Sequence, residues 1–157
     1  MTYARNLVRP ETMVGFPHNS TTGMNGTKGV TVTAQAGMQE CFADFTFSGL
    51  RNTPLVFRVD VGVVSGDLST LRNGMIVIAQ RNPWVTLGYS SVTSGTAIVK
   101  FTPTSSFLIR LYCPDEGKAV YDRFLLMSET DWEQTVKALD GSDFFDEDTR
   151  PLILGGA

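Results

Sequence analysis

The sequence has few of the residues that catalytic and metal sites use most. It contains one histidine and two cysteines, and only 18% of its 157 residues are charged. His18 lies in a segment rich in Gly, Pro and Asn, and no serine or cysteine nucleophile motif accompanies it. Cys41 and Cys113 form neither a CxxC pair nor a zinc ligand set, and we expect both to be buried and reduced. These absences predict a protein that is not an enzyme.

Long apolar runs and basic stretches are missing too. No run approaches the roughly 18 apolar residues of a membrane span, and the N-terminus lacks the basic and apolar regions of a secretory signal. Residues 1–114 carry 9 Lys/Arg and 5 Asp/Glu, whereas residues 115–157 carry 4 and 11. Neither part has the basic stripe that phosphate backbones require, so nucleic acid is not an expected partner.

Alternating apolar and polar residues dominate the sequence from Val30 onward. This alternation is typical of half-buried strands, and clusters of Gly, Pro, Asn and Asp separate the runs. About eight short strands at such spacing favour an all-β fold, an antiparallel β-sandwich with jelly-roll topology. The strand-like runs are 30–34, 41–47, 55–61, 75–79, 84–89, 97–101, 107–113 and 120–126.

One short helix is predicted near the C-terminus. Ser128 is a suitable N-cap with Asp131 three residues later, a variant of the capping box. Trp132, Val136 and Leu139 follow at helical spacing and form one apolar stripe that can pack on the sandwich. The sequence therefore predicts a β-sandwich that ends in a single helix.

The chain divides into three predicted segments. Residues 1–29 combine turn residues with no apolar period, which predicts an irregular N-terminal arm or loop. Loops of that length usually serve a function or contact a neighbouring molecule. Residues 30–151 form the predicted β-sandwich domain, and residues 152–157 form a C-terminal tail.

Exposed aromatic residues are the first candidates for a binding site. Aromatic faces can stack on the C–H surface of pyranose rings, which makes Trp84, Tyr89 and Tyr112 candidates for glycan contacts, together with Phe16. Because a β-sandwich also needs aromatic residues in its core, we expect at least two of these four to be core residues.

Asp122 and Arg123 are the second candidates. They occupy neighbouring positions of an apolar strand, so regular alternation would turn one of the two charges toward the core. A buried charge needs a partner or an ion. Three alternatives would satisfy that need: a salt bridge, backbone hydrogen bonds or a structural calcium ion. The sequence leaves all three open. We expect no other cofactor.

Both ends of the chain resemble small domains of minor tail proteins from tailed phages of actinobacteria. Residues 4–10 are similar to the family's N-L-h-x-N-P opening. Residues 121–126 are similar to its f-D-R-h-h-L string, and residues 143–151 to its Y-F-D-G-D-T-x-P string. Such domains resemble jelly rolls of the galactose-binding and carbohydrate-binding-module type, in which two acids hold a structural calcium. By position, the resemblance implies Glu11 and Asp122 for this role.

The resemblance implies a non-enzymatic structural subunit of a virion. It would be made in the bacterial cytoplasm and lie on the phage tail rather than the head. Its partners would be other virion proteins and copies of itself in a trimer or ring. Phe16, His18, Asp146 and Asp148 are the candidate subunit contacts. The alternatives are a capsid decoration or head-fibre subunit, and a glycan-binding module that recognises the host cell wall.

Overall fold

The structure, a computed structural model, describes residues 2–8, 15–25, 29–138 and 149–152. These residues form twelve strands, one α-helix and a short 3-10 helix at Leu68–Thr70. The strands are β1 (Thr2–Arg5), β2 (Gly15–His18), β3 (Ser20–Asn25), β4 (Gly29–Ala34), β5 (Cys41–Phe47), β6 (Leu55–Ser65), β7 (Ile76–Gln80), β8 (Val85–Ser90), β9 (Ser94–Phe101), β10 (Phe107–Cys113), β11 (Lys118–Ser128) and β12 (Thr149–Leu152), and the helix is α1 (Glu129–Ala138).

Ten of the strands form two five-stranded antiparallel sheets. The front sheet has the order β2-β5-β10-β7-β8, and the back sheet has the order β3-β4-β11-β6-β9. Strands β1 and β12 form a separate antiparallel pair at the chain ends. The predicted antiparallel β-sandwich with one short helix is confirmed, and none of the described helices is long and apolar enough to span a membrane.

The alternating side chains build the core between the two sheets. Phe45 and Ile109 of the front sheet and Phe57 and Tyr121 of the back sheet are all buried there. Strand β7 is apolar on both faces, and apolar side chains flank Arg110 on the outer face of β10, so a second, smaller apolar cluster lies on the outer face of the front sheet. Its buried members are Phe42, Val77, Ala79, Leu108 and Tyr112. The front sheet therefore does not present a purely polar surface to solvent.

The helix begins where the sequence predicts. The backbone N–H of Asp131 donates a 3.1 Å hydrogen bond to the Ser128 hydroxyl, which acts as the N-cap. Trp132 is buried, as expected for the apolar stripe. Leu139 lies outside the described residues.

The N-terminal segment differs from the irregular arm that the sequence predicts. Strand β2 pairs with β5 at one edge of the front sheet, and β3 pairs with β4 at one edge of the back sheet. Most side chains of β2 and β3 are exposed. Because backbone hydrogen bonds hold these edge strands, their side chains need no apolar period. That is why sequence periodicity missed them.

Strand β11 also differs from a regular strand. Its register with β6 shifts between Asp122 and Leu125, and Arg123 has a φ of 54°, in the left-handed region. This bulge resets the alternation, so Asp122 is half-buried and Arg123 is exposed. The expectation that one of these charges points into the core is therefore wrong. The amide of Asn6 donates to the Phe124 carbonyl at 3.0 Å, so the N-terminal segment covers the bulge.

Candidate functional site

A groove of about 490 Å³ lies on the outer face of the front sheet. Strands β7, β8 and β10 form its floor and one wall, and the loop that precedes β7 closes one end. The turn 81–84 between β7 and β8 carries Trp84 into the groove. The side chains used below are Glu40, Arg72, Val77, Trp84, Thr86, Tyr89, Arg110 and Tyr112, and all of them line the groove.

Strand register places one row of side chains across the whole front sheet. Phe16 of β2 lies opposite Asp44 of β5, which lies opposite Arg110 of β10. Arg110 lies opposite Val77 of β7, and Val77 lies opposite Tyr89 of β8. Directly opposite residues point to the same face of a sheet. The row therefore has an exposed aromatic residue at each end and an ion pair near its centre.

Asp44 is the buried charge of this face. Its side chain is only 4% exposed, and it accepts hydrogen bonds from Arg110 Nε at 2.8 Å and from Arg110 Nη2 at 3.0 Å. Arg81 Nη2 donates a third hydrogen bond to Asp44 Oδ2 at 2.8 Å. A carboxylate held by two guanidinium groups in this way is fully paired, which stabilises its buried charge.

The same contacts fix the charge of Arg110. Burial lowers the pKa of this guanidinium, but the hydrogen bonds and charges of Asp44 and Tyr112 together outweigh that effect and raise the pKa above the ordinary value. The Cζ atom of Arg110 lies 3.7 Å from the centre of the Phe42 ring and 4.8 Å from the centre of the Trp84 ring. Arg110 is therefore a permanently charged side chain held in one orientation between two aromatic rings.

The aromatic rings of the groove are held by neighbouring side chains. Tyr112 packs against Phe42 edge-on, with the ring centres 5.3 Å apart. The indole N–H of Trp84 donates a 3.1 Å hydrogen bond to the Thr86 hydroxyl. Trp84 is 45% exposed and Tyr89 is 67% exposed, so both rings offer a face to solvent.

The structure brings the three candidate glycan contacts into one groove. Trp84 and Tyr89 come from the β7–β8 hairpin, and Tyr112 comes from the end of β10. Tyr112 is buried and forms part of the floor, whereas Trp84, Tyr89 and Phe16 are exposed. The expectation that at least two of these four aromatic residues are core residues is therefore wrong.

The candidate subunit contacts lie apart from the groove or outside the described residues. Phe16 is 57% exposed on the edge strand β2. The ring of His18, on the same strand, stacks on Phe42 with the ring centres 4.8 Å apart. Asp146 and Asp148 lie outside the described residues. A role for these four residues in subunit contacts stays a prediction.

Sequence reasoning missed the charged residues of the groove. Asp44 and Arg110 occupy polar positions of alternating strands, which is also what a solvated strand face looks like. Only the register between β5 and β10 places them opposite each other. The available signal was a charge in the middle of each of two apolar strands, and it did not show that the two charges pair.

The structural calcium site implied at Glu11 and Asp122 stays a prediction, because the structure describes only Asp122. The Asp122 carboxylate accepts a 2.8 Å hydrogen bond from the backbone N–H of Arg123. Asp122 lies opposite Asp60, which already forms ion pairs with Arg58 at 2.9 Å and Arg123 at 3.7 Å. Within the described ranges, no group of three or more His, Cys, Asp or Glu side chains is placed to hold a metal ion. Glu11 lies outside the described residues.

The two cysteines lie opposite each other on β5 and β10. Both thiols are free and buried. Burial raises the pKa of the Cys113 thiol to about 12, and the nearby charges of Cys41 and Asp115 add to the effect. Burial also raises the pKa of Tyr121 well above its ordinary value. These groups are therefore neutral acids that the folded state protects from ionisation.

We expect the free energy of unfolding to fall at high pH. The thiol of Cys113 has a higher pKa in the folded state than its ordinary value of 9.0, so its contribution is complete below pH 9.0 and is lost as the pH rises toward about 12. Urea unfolding midpoints measured from about pH 8 to about pH 11 test this expectation. A Cys113→Ala variant should show a shallower decline. Equal midpoints across this range would contradict the account.

No protein-family model matches the sequence, and no curated protein sequence matches it. Solved structures do share the fold. A family 4 carbohydrate-binding module has a TM-score of 0.52 at 9% identity, with 82% of this chain and 95% of that chain covered. A family 29 carbohydrate-binding module from Piromyces equi has a TM-score of 0.51 at 9% identity, with 81% and 89% covered.

A third similar structure is the N-terminal cellulose-binding domain of Cellulomonas fimi β-1,4-glucanase C. Its TM-score is 0.50 at 13% identity, with 76% of this chain and 90% of that chain covered. Identities this low show the fold alone. The predicted jelly-roll sandwich of the carbohydrate-binding-module type is thereby confirmed.

Proposed function

We propose that the protein is a non-catalytic glycan-binding module that holds a sugar chain in the groove of the front sheet. The observation that carries this proposal is the pair of exposed rings, Trp84 and Tyr89, beside a fixed Arg110–Asp44 ion pair in one groove. Aromatic faces pack on the C–H faces of sugar rings, and oriented polar groups bind their hydroxyls. The groove offers both on one side of a rigid sheet.

The fixed geometry of the groove favours binding. The Arg110 guanidinium is held by Asp44 on one edge and by Phe42 and Trp84 on its faces. A side chain that is already ordered loses little conformational entropy when a ligand binds. The hydrogen bond from Trp84 to Thr86 restricts the indole in the same way. A preorganised site of this kind suits a flexible sugar chain.

The acids at the groove support a non-catalytic role, because Glu40 is the one carboxylate among the described residues that line the groove and Asp44 lies beneath Arg110 beside it. Hydrolysis of a glycosidic bond uses two acids that flank the bond. Both oxygens of Asp44 accept hydrogen bonds from arginines, so this carboxylate is a structural acceptor. The similar structures are carbohydrate-binding modules, which agrees with this proposal.

The virion role expected from the terminal motifs is compatible with glycan binding. A tail or head subunit that contacts the host surface would use the same groove on cell-wall glycans. That role, the trimer or ring and the structural calcium depend on the resemblance of the chain ends, and the comparisons do not address them. Electron microscopy of particles labelled with an antibody to this protein would test the location.

Calorimetric titration with soluble oligosaccharides tests the proposed function. The panel contains cellohexaose, chitohexaose and oligosaccharides of acidic cell-wall polymers. We expect at least one member to bind with a dissociation constant below about 1 mM, and no member to be cleaved. The absence of binding across the panel at millimolar concentration would contradict the proposal, and so would the release of shorter sugars.

A further inference from the structure

The groove carries more positive than negative charge. Arg72 and Arg110 line it together with Glu40, and Arg81 reaches Asp44 beside it. Three guanidinium groups therefore face two carboxylates. The whole chain has a formal net charge of −3, so this local excess is opposite in sign to the protein as a whole. A neutral sugar has no need of such an excess.

The two carboxylates do not pair with all the N–H donors of these three arginines. Asp44 is buried and uses its two oxygens on Arg110 and Arg81. An arginine has five N–H donors, so the three hydrogen bonds to Asp44 do not use all the donors of Arg110 and Arg81. Arg72 is exposed at the end of the groove and forms no ion pair with any residue in the described ranges.

We propose that the glycan bound by this groove is acidic, with a carboxylate or phosphate group that Arg72 and Arg110 bind. The inference rests on the proposed function and names its substrate class. The sugar ring would pack on Trp84 and Tyr89, and the acidic substituent would face the two guanidinium groups. Arginine suits this role because its planar fork can bind a carboxylate or phosphate through two parallel hydrogen bonds.

Removing the negative charge of Glu40 tests the same preference for an acidic ligand from the opposite direction. It is an exposed carboxylate that lines the same groove as Arg72. An acidic ligand in the groove would be repelled by Glu40, so the Glu40→Gln variant should bind the acidic ligand several-fold more tightly. The gain for the acidic ligand should exceed any change in the affinity for cellohexaose.

The experiment is a calorimetric titration with three probes of similar length. One probe is neutral cellohexaose, one is a galacturonic acid hexamer that carries carboxylates, and one is a hexasaccharide whose sugar rings carry phosphate groups. Titrations at about 50 mM and about 500 mM salt measure the ionic contribution, because salt screens charges at the protein surface. Arg72→Gln is the test variant, and Arg51→Gln, an exposed arginine in the turn before β6, is its matched control.

We expect at least one acidic probe to bind about tenfold more tightly than cellohexaose at low salt. Arg72→Gln should remove most of that difference, so that its affinity for the acidic probe approaches its affinity for cellohexaose, whereas Arg51→Gln should have no effect. The acidic probe that binds more tightly identifies carboxylate or phosphate as the recognised group.

Three results would overturn the inference. Cellohexaose binding as tightly as both acidic probes would remove the acidic preference and leave the proposed function intact. Equal losses in Arg72→Gln and Arg51→Gln would mean that the preference is a general charge effect rather than a property of the groove. Binding of none of the three probes would overturn this inference, and the proposed function would fail with it only if chitohexaose also did not bind.

Discussion

Replacing Trp84 or Tyr89 with alanine should weaken glycan binding by about 30-fold in each case, because buried aromatic contacts of a binding site contribute about 2 kcal/mol or more. Both rings are exposed in the free protein and line the same groove. Trp84 also packs over Arg110, so its removal frees that guanidinium as well. Calorimetric titration of each variant with the tightest-binding oligosaccharide measures the loss.

Two controls separate ring stacking from other effects. Tyr89→Phe keeps the aromatic face, and we expect it to retain most of the affinity. Ile98→Ala removes an exposed apolar side chain from β9 in the back sheet, and it should bind like the wild-type protein. Wild-type affinity in both alanine variants of the groove would contradict the account, as would an equal loss in Ile98→Ala.

Replacing Asp44 with alanine should lower the free energy of unfolding by about 3 kcal/mol, because it leaves a largely buried guanidinium without its carboxylate. The side chain of Arg110 is only 15% exposed, whereas that of Arg81 is 55% exposed and can turn to solvent. The predicted loss of stability therefore comes mainly from Arg110, which would stay buried without a carboxylate partner. Urea unfolding followed by circular dichroism measures it.

Asp115→Ala is the matched control for this prediction. Asp115 is a half-buried aspartate in the turn before β11, and its carboxylate forms no ion pair within the described ranges. Its loss should cost less than about 0.5 kcal/mol. The double variant Asp44→Leu, Arg110→Met should recover part of the stability, because two apolar side chains can replace a buried ion pair. A loss below about 0.5 kcal/mol in Asp44→Ala would mean that the pair does not support the front sheet.

The sequence predicts most strands because each follows one local rule. Alternation in 41–47 and 107–113 matches β5 and β10 residue for residue. The helix N-cap at Ser128 is correct because its hydrogen bond spans only three residues. Features set by neighbours in sequence were therefore predictable from the sequence.

Long-range pairing was not predictable in the same way. Asp44 lies far from Arg110 in the sequence, and Cys41 lies far from Cys113. The register between β5 and β10 nevertheless places the two members of each pair directly opposite each other. Strand β2 is held at a sheet edge by backbone hydrogen bonds, which leave no side-chain signal. The aromatic candidates were identified correctly as residue types, but only the order of the front-sheet strands brings Tyr112 beside the β7–β8 hairpin.

Mapping of backbone amide signals by NMR during a glycan titration tests the central claim most directly. We predict that the shifted signals come from β7, β8, β10, the loop before β7 and the turn at 81–84, which surround the groove. Signals from the outer face of the back sheet, such as Ile98, should stay in place. Shifts that concentrate on the back sheet, with the signals around Trp84 and Tyr89 unmoved, would contradict the account.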